Sequence, residues 1–313
     1  MASFDTINYS ITPNKAIQRQ IVFDCLEIVD RHLPLLDAAY IGFGSIWFSD
    51  FVIAHKKLGV SNLISIENNP IGAKRARFNA PFRTISVEEG DSTPVLSDLS
   101  KNEKLLKRPW IVWLDYDRSV TDTTLNDIEL IVTHAPPNSV FVVTIDAGGL
   151  SMSATKREKY LRELLGDAVP DDLEDDAFEV ENMPKLLAKC MLDYVSAQAA
   201  NGSRPGGFIP AFAIPYKDNA QMLTFGGILP AAAARGAAKA CVESNSWAGF
   251  PSVPVHAPPL TMKEVQALQK LLPNSKGVSR TKLQKLGFDL RDDQLEAYVE
   301  HYRRYPTFLQ VVA

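Results

Sequence analysis

The feature that most restricts the fold of this chain is a series of five short apolar runs, separated by segments with helical periodicity. The helical segment at 16–33 places its apolar residues three and four apart, on one helix face. Apolar runs between helices are typical of strands buried on both faces of a parallel sheet. The sequence therefore predicts an α/β, doubly wound fold with a mostly parallel sheet. The runs lie at 38–43, 62–67, 83–91, 110–117 and 139–146.

A β-hairpin is predicted after a further helical segment at 185–200. Two β-rich runs within 206–229 are joined around Asp218 and Asn219, residue types that favour turns. The hairpin adds two strands to the five runs. We therefore expect a seven-stranded sheet that ends in an antiparallel pair.

Composition indicates an ordinary globular chain without strong charge. The 313 residues are 46% hydrophobic with a net charge of −4, which gives no reason to expect a nucleic acid or a membrane as partner. Three separated cysteines without CxxC spacing argue against disulfides or a zinc site and favour a reducing, cytoplasmic location. Arg235 and Lys239 interrupt the one alanine-rich run, so no membrane span is expected.

A glycine pair follows the first predicted strand. Gly42 and Gly44 lie where the backbone of a doubly wound sheet approaches a ligand, although a plain tight turn also explains them. Trp47 stands where a dinucleotide fingerprint needs a third glycine. Glu67 ends the second strand, 23 residues after Gly44. An acidic side chain there can accept hydrogen bonds from both ribose hydroxyls of an adenosine ligand.

The strand series, the hairpin, the glycine pair and Glu67 together resemble the class I S-adenosylmethionine-dependent methyltransferases over roughly residues 15–230. The stretches ITPNKAIQRQ, YIGFGSIWFSDF, LGVSNLISIE, RFNAPF and IVWLDYD look similar to uncharacterised bacterial proteins labelled O-methyltransferases. The resemblance implies S-adenosylmethionine as cofactor. This chain departs from the family pattern at Tyr40, where family members usually have an acidic residue. The implied cofactor-binding residues are Gly42, Phe43, Gly44, Ser45, Glu67, Asn68, Asp91, Ser92 and Asp115.

The stretch WLDYD at the end of the fourth strand supplies the candidate catalytic residues Asp115, Tyr116 and Asp117. In a continuing strand, the two aspartates would point to one face and Tyr116 to the other. Asp115 could act as a general base, contact the amino group of the cofactor or bind a metal. Asp117 could equally cap the next helix.

A divalent metal is not expected. Catechol-type O-methyltransferases place an aspartate after strand four and an Asp-Asn pair after strand five. Asp115 and Asp146 could serve as the aspartates, but Ala147 stands where the asparagine would be. Metal binding through Asp115 and Asp146 is therefore the minor alternative.

Oxygen is the favoured methyl acceptor, because LDYDRS lacks the (N/D)PP(Y/F) motif of enzymes that methylate nucleobase amino groups. The acceptor itself is unknown. One alternative is a non-catalytic binding or regulatory protein that holds an adenosine-containing ligand or a protein partner. Another is a nucleic-acid methyltransferase. The oligomeric state of the protein is also left open by the sequence. The cations that could contact phosphate are Arg75, Arg77, Lys101, Lys104, Lys107 and Arg108.

Three parts are predicted along the chain. A helical segment, 1–36, covers the cofactor side; a Rossmann-like domain, 37–249, contains an acidic surface loop at 167–181; and 250–313 forms a proline-rich linker and a helical appendage. Lys15 and Arg19 are expected on a solvent-exposed helix face, with an anionic substrate as the alternative contact. In the appendage, Thr261 and Glu264 have capping-box spacing. A stripe of Leu295, Tyr298 or Val299, Tyr302 and Tyr305 is expected in the core.

Overall fold

The computed structural model describes residues 12–148, 152–174, 176–218, 220–274 and 277–306. A seven-stranded sheet in the order β3-β2-β1-β4-β5-β7-β6 forms the centre of the protein. Strands β1 to β5 are parallel, and β7 is antiparallel to both β5 and β6. The predicted fold is therefore confirmed. The strands are β1 Ala39–Gly42, β2 Asn62–Glu67, β3 Ile85–Glu89, β4 Trp110–Asp115, β5 Ser139–Asp146, β6 Ile209–Lys217 and β7 Gln221–Leu229.

Helices cover both faces of the sheet. They are α1 Pro13–His32, α2 Ser49–Leu58, α3 Pro70–Asn79, α4 Ser92–Leu99, α5 Asp122–His134, α6 Ala154–Leu165, α7 Met183–Asn201, α8 Arg235–Val242, α9 Met262–Gln269, α10 Arg280–Leu286 and α11 Asp292–His301. No helix in the described part of the chain is long and apolar enough to cross a membrane.

Alternate residues of each central strand belong to opposite cores, because successive side chains of a strand point to opposite faces. In β1, Tyr40 packs with Phe23 and Phe51 under α1 and α2. Its neighbours Ala39 and Ile41 face the second core, under α4, α5 and α7. Burial on both faces explains why β1 reads as a continuous apolar run.

The first helix lies on the sheet face that carries Tyr40. α1 begins at Pro13, which is tolerated at the first helical position because the N–H it lacks has no intrahelical partner there. Ile17, Ile21 and Val22 are buried, as the apolar spacing predicts. Unexpectedly, polar residues of the same helix are buried as well, and these belong to the candidate site below.

The C-terminal helices share the core under α1. Leu295, Tyr298 and Tyr305 are buried, as predicted for the C-terminal stripe, whereas Tyr302 is only half-buried against the same core. Thr261 and Glu264 form the predicted capping box at the start of α9. The division of the chain into three parts stays a prediction.

Several element boundaries differ from those predicted. The first and fourth strands are Ala39–Gly42 and Trp110–Asp115, shorter than the predicted 38–43 and 110–117. The third strand is confined to Ile85–Glu89, within the predicted 83–91. The second helix begins at Ser49 because Phe48 has a left-handed φ of 50°, which is incompatible with an α-helix. Asp218 follows β6 as the hairpin predicts, and Asn219 lies outside the described residues.

Candidate active site

The parallel strands end at one edge of the sheet, and the predicted site residues meet there. Gly42 ends β1, Glu67 ends β2, Asp115 ends β4 and Asp146 ends β5. The carboxyl end of a parallel sheet is where doubly wound proteins bind their ligands. The structure therefore places these four predicted positions along one candidate cleft.

The two glycines are required by the packing of the protein itself. A Cβ atom on Gly42 would lie 2.5 Å from the carbonyl oxygen of Trp113 in β4. One on Gly44 would lie 2.7 Å from both the Phe48 ring and the Ser65 hydroxyl. These distances are shorter than van der Waals contact allows. The tight-turn explanation of the glycine pair is thus sufficient, and a cofactor contact at these residues stays a prediction.

The loop after β1 is strained and carries an unsatisfied hydroxyl. Ser45 and Phe48 have φ angles of 52° and 50°, a region that side chains disfavour. The Ser45 Oγ atom is buried without a hydrogen-bond partner among the described residues. Strain of this kind concentrates at functional sites. Phe43 is half-buried and packs edge-on against Tyr116, with 5.2 Å between ring centroids.

The ends of β2 and β3 bring four predicted cofactor residues together. Glu67 is half-buried, and its Oε1 accepts a hydrogen bond from the Asn69 N–H at 2.9 Å. Burial raises the pKa of Glu67 above its ordinary value, against the lowering effect of backbone hydrogen bonds. Asn68 Nδ2 donates to Asp91 Oδ1 at 3.2 Å, which joins the two strand ends. Ser92 is buried at the start of α4, beside them.

Asp115 forms an ion pair with a lysine of the first helix. Lys15 Nζ lies 2.6 Å from Asp115 Oδ2. The second carboxylate oxygen, Oδ1, is buried without a hydrogen-bond partner within the described ranges. The expectation that Lys15 and Arg19 face solvent is wrong, because both side chains are at least nine-tenths buried. They face the strand ends, where carboxylates offset the cost of burying their charge.

Tyr116 points to the opposite core, as strand alternation predicts. Its hydroxyl donates to Asp127 Oδ2 at 2.5 Å, and Thr93 donates to the other oxygen of Asp127. Burial raises the pKa of Tyr116 well above the ordinary value for tyrosine. Tyr116 therefore joins β4 to α5, and this position argues against its predicted catalytic role. Asp117 is exposed.

Asp146 is engaged in local structure at the end of β5. Its Oδ1 accepts a hydrogen bond from Gly148 N–H at 2.7 Å, and its carbonyl accepts one from Ser119 Oγ at 2.8 Å. Across the described part of the chain, no group of three or more His, Cys, Asp or Glu side chains could hold a metal ion. Asp115 and Asp146 therefore do not fit a metal centre by themselves.

A chain of buried hydrogen bonds connects α1 to the sheet, and no sequence pattern predicted it. Gln18 Nε2 donates to Thr224 Oγ1 at 2.7 Å, and that hydroxyl lies 2.8 Å from Thr144 Oγ1. Trp113 Nε1 donates to the Thr144 hydroxyl at 3.2 Å. Helix α1 is thereby connected to β7, β5 and β4.

Two carboxyl groups at this edge were also missed by sequence reasoning. Tyr40 Oη donates to Asp50 Oδ2 at 2.6 Å, and burial is the main cause of the raised pKa of Asp50. Asp218 follows β6, and burial likewise raises its pKa, although the nearby Lys15 lowers it. The usual family acid is missing at position 40, and the hydroxyl of Tyr40 instead holds a carboxylate from α2. A signal for Asp50 was its place in the first turn of the helix after the glycine pair.

The sheet has the topology of the class I methyltransferase fold, with five parallel strands and a closing antiparallel hairpin, and polar residues lie at its carboxyl edge. A model of the family described as "Putative O-methyltransferase" matches residues 7–313, and the chain belongs to this family. The curated proteins contain no match to the sequence.

Several solved structures are similar to this chain. Trm1 from Pyrococcus horikoshii, in complex with S-adenosyl-L-methionine, has 11% sequence identity and a TM-score of 0.46, covering 72% of this chain and 58% of Trm1. The O-methyltransferase from Bacillus cereus, in complex with SAH, has 12% identity and a TM-score of 0.42, covering 72% of this chain and 85% of the other. This chain therefore spans little more than half the length of Trm1.

Proposed function

We propose that this protein transfers the methyl group of S-adenosylmethionine to an oxygen atom of its acceptor, at the end of β4. The observation that carries the proposal is the buried Oδ1 of Asp115, which has no donor among the described residues while Lys15 holds Oδ2. An unsatisfied buried acceptor costs about 1–3 kcal/mol. A ligand that donates a hydrogen bond to this oxygen would recover that free energy.

The fit of the cofactor is supported by polar groups along the strand ends. When bound, S-adenosylmethionine supplies an electrophilic methyl group on a sulfonium. Glu67 would accept hydrogen bonds from the ribose hydroxyls, and Asp91 and Ser92 lie where the adenine is expected. The unsatisfied Ser45 hydroxyl offers a further contact between these positions and Asp115.

Asp115 would act on the acceptor. Its Oδ1 is the proposed hydrogen-bond acceptor for a substrate hydroxyl, and it would take the hydroxyl proton as that oxygen becomes methylated. Lys15 would keep the carboxylate oriented between turnovers. Orientation and exclusion of water are the expected main sources of rate.

A hydroxyl-bearing small molecule is the proposed acceptor class, rather than a nucleic acid. Two of the cations that could contact phosphate are already in exposed ion pairs, Arg77 with Glu89 and Lys101 with Asp98. We also place the protein in the bacterial cytoplasm. The free, buried state of its three cysteines supports a reducing compartment.

Calorimetric titration with S-adenosylmethionine and S-adenosylhomocysteine tests the cofactor site, with ATP and NAD as control ligands. We expect micromolar binding of both sulfur ligands, and a loss of about tenfold or more in Glu67→Ala. Glu103→Ala, which removes an exposed glutamate away from the site, is the matched control. Absence of binding to either sulfur ligand in the unmodified protein would contradict the proposal.

Formation of S-adenosylhomocysteine with a panel of phenolic and aliphatic alcohols tests the reaction. Asp115→Asn should abolish turnover with any accepted alcohol. Full turnover in this variant would remove the catalytic role of Asp115. Binding of S-adenosylhomocysteine without turnover of any alcohol, amine or nucleic acid would favour a non-catalytic binding protein.

A further inference from the structure

Asp127 of α5 is a fully buried carboxyl group that is bonded to two hydroxyl groups. The residue is 0% exposed, and its Oδ1 and Oδ2 accept hydrogen bonds from Thr93 Oγ1 and Tyr116 Oη, each at 2.5 Å. Burial of a carboxyl group is costly unless hydrogen bonds replace those it makes with water. Both contacts are therefore strongly favoured in the folded protein.

The two hydroxyl groups belong to different elements of the fold. Thr93 lies in the first turn of α4, and Tyr116 directly follows β4. Because both side chains donate to the same carboxyl group, one residue of α5 sets the position of two neighbouring elements. A fully satisfied buried polar network of this kind restricts the elements that it joins to one arrangement.

Helix α5 is itself fixed in place. Its start has a capping box, in which Thr121 and Thr124 bond to each other's backbone N–H groups. Ile128 and Ile131 are buried in the core beneath it. Asp127 is therefore carried by a helix that is anchored both at its first turn and along its apolar face.

The start of α4, by contrast, has no side-chain cap of its own. Asp91 is the N-cap residue, but its side chain makes no capping hydrogen bond and instead accepts one from Asn68 Nδ2 at 3.2 Å. A helix of eight residues is also too short to be stable without tertiary contacts. The hydrogen bond from Thr93 to Asp127 supplies a polar anchor for the first turn that the cap does not provide.

We propose that Asp127 acts through Thr93 as a positioning residue for the adenine of the cofactor, an inference that rests on the proposed function. Asp91 and Ser92 directly precede Thr93, and they are the residues proposed to meet the adenine. A carboxylate accepts hydrogen bonds from an amino group, and the Asp91 side chain is not engaged in capping. With Thr93 anchored, the Asp91 carboxylate would be placed to accept from the 6-amino group of adenine.

The second hydroxyl bonded to Asp127 provides a matched comparison. Thr93→Val and Tyr116→Phe each remove one buried hydrogen bond to the same carboxyl group and keep the shape of the side chain. The two variants should therefore lose similar amounts of stability. Only Thr93→Val releases the first turn of α4, so only this variant should alter recognition of the adenine.

Calorimetry on the full chain with two ligands tests the inference. The ligands are S-adenosylhomocysteine and its analogue in which hydrogen replaces the 6-amino group of adenine. The unmodified protein should bind S-adenosylhomocysteine about tenfold more tightly than the analogue. Thr93→Val should weaken binding of S-adenosylhomocysteine by about this factor and leave binding of the analogue unchanged. Tyr116→Phe should keep the full difference between the ligands.

Two controls separate positioning from a general loss of structure. Urea unfolding of Thr93→Val and Tyr116→Phe should give similar shifts of the midpoint, so a difference in affinity between them is not a difference in stability. Thr93→Ser keeps the hydroxyl group and should restore most of the preference for the 6-amino group.

Equal weakening of both ligands by Thr93→Val would overturn the inference, and so would an unchanged affinity for S-adenosylhomocysteine. The same loss of preference in Tyr116→Phe would also overturn it, as would equal affinities of the unmodified protein for the two ligands. Binding of neither ligand by the unmodified protein would instead refute the proposed function, and with it the positioning role.

Discussion

Lys15 Nζ of the first helix lies 2.6 Å from Asp115 Oδ2 at the end of the fourth strand, beside the candidate cleft. This ion pair connects a segment that precedes the sheet with the strand end where the methyl acceptor is proposed. It explains how a helix outside the βα series contributes to the site.

Lys15→Met should destabilise the protein by about 2 kcal/mol, because it leaves a largely buried carboxylate unpaired. The estimate is below that for a fully buried pair, since Asp115 keeps 26% of its side-chain surface exposed. Urea unfolding measures the change. The exposed Lys156→Met is the control, with an expected effect within about 0.5 kcal/mol. Adding Asp115→Asn to Lys15→Met should recover part of the loss, and a purely additive double variant would contradict the pairing.

Gly44→Ala should destabilise the protein by about 1–3 kcal/mol, because its Cβ would lie 2.7 Å from the Phe48 ring and the Ser65 hydroxyl. Gly236→Ala in α8 is the matched control, since no atom lies within 4 Å of its Cβ position. Replacing this helical glycine should stabilise the protein by about 0.5–1 kcal/mol. Thermal unfolding of both variants should therefore give shifts of opposite sign.

Tyr116→Phe should lower stability by about 1–2 kcal/mol, because it removes a buried hydrogen bond to the carboxylate of Asp127. Its affinity for S-adenosylhomocysteine should be unchanged, since this hydroxyl faces the core under α4 and α5. Calorimetry and urea unfolding of the same sample check both statements. A variant with normal stability and no turnover would restore Tyr116 as a catalytic residue.

The raised pKa of Glu67 predicts a pH dependence of stability. Because burial raises the pKa in the folded state, the unfolded state loses its proton first as pH rises, and folding then works against ionisation. Stability from protonated Glu67 is complete below its ordinary pKa of 4.5 and is lost as pH rises through the folded value. The melting temperature of Glu67→Gln relative to the unmodified protein should therefore be higher at pH 7 than at pH 4. A difference that does not change with pH would show that Glu67 titrates normally.

The fold was largely predictable because its signals are local. Burial on both faces makes each central strand a continuous apolar run, and β4 and β5 show this directly in WIVWL and SVFVV. The capping box of Thr261 and Glu264 could be located in the same way, since its partners are three residues apart. Strand ends then followed from the runs, which placed Glu67, Asp91, Asp115 and Asp146 at one edge.

The chemistry of the cleft was decided by contacts between distant segments. The sequence by itself determined the sheet, its helices and the acidic residues at the strand ends, because periodicity and residue type are written in neighbouring positions. Only the tertiary structure decided that Lys15 and Arg19 are buried, that Tyr40 holds Asp50, and that Asp218 faces Lys15. A polar residue on a helix has the same sequence pattern whether it faces water or a carboxylate. Which of the two it meets depends on residues one hundred positions away, as for Lys15 and Asp115.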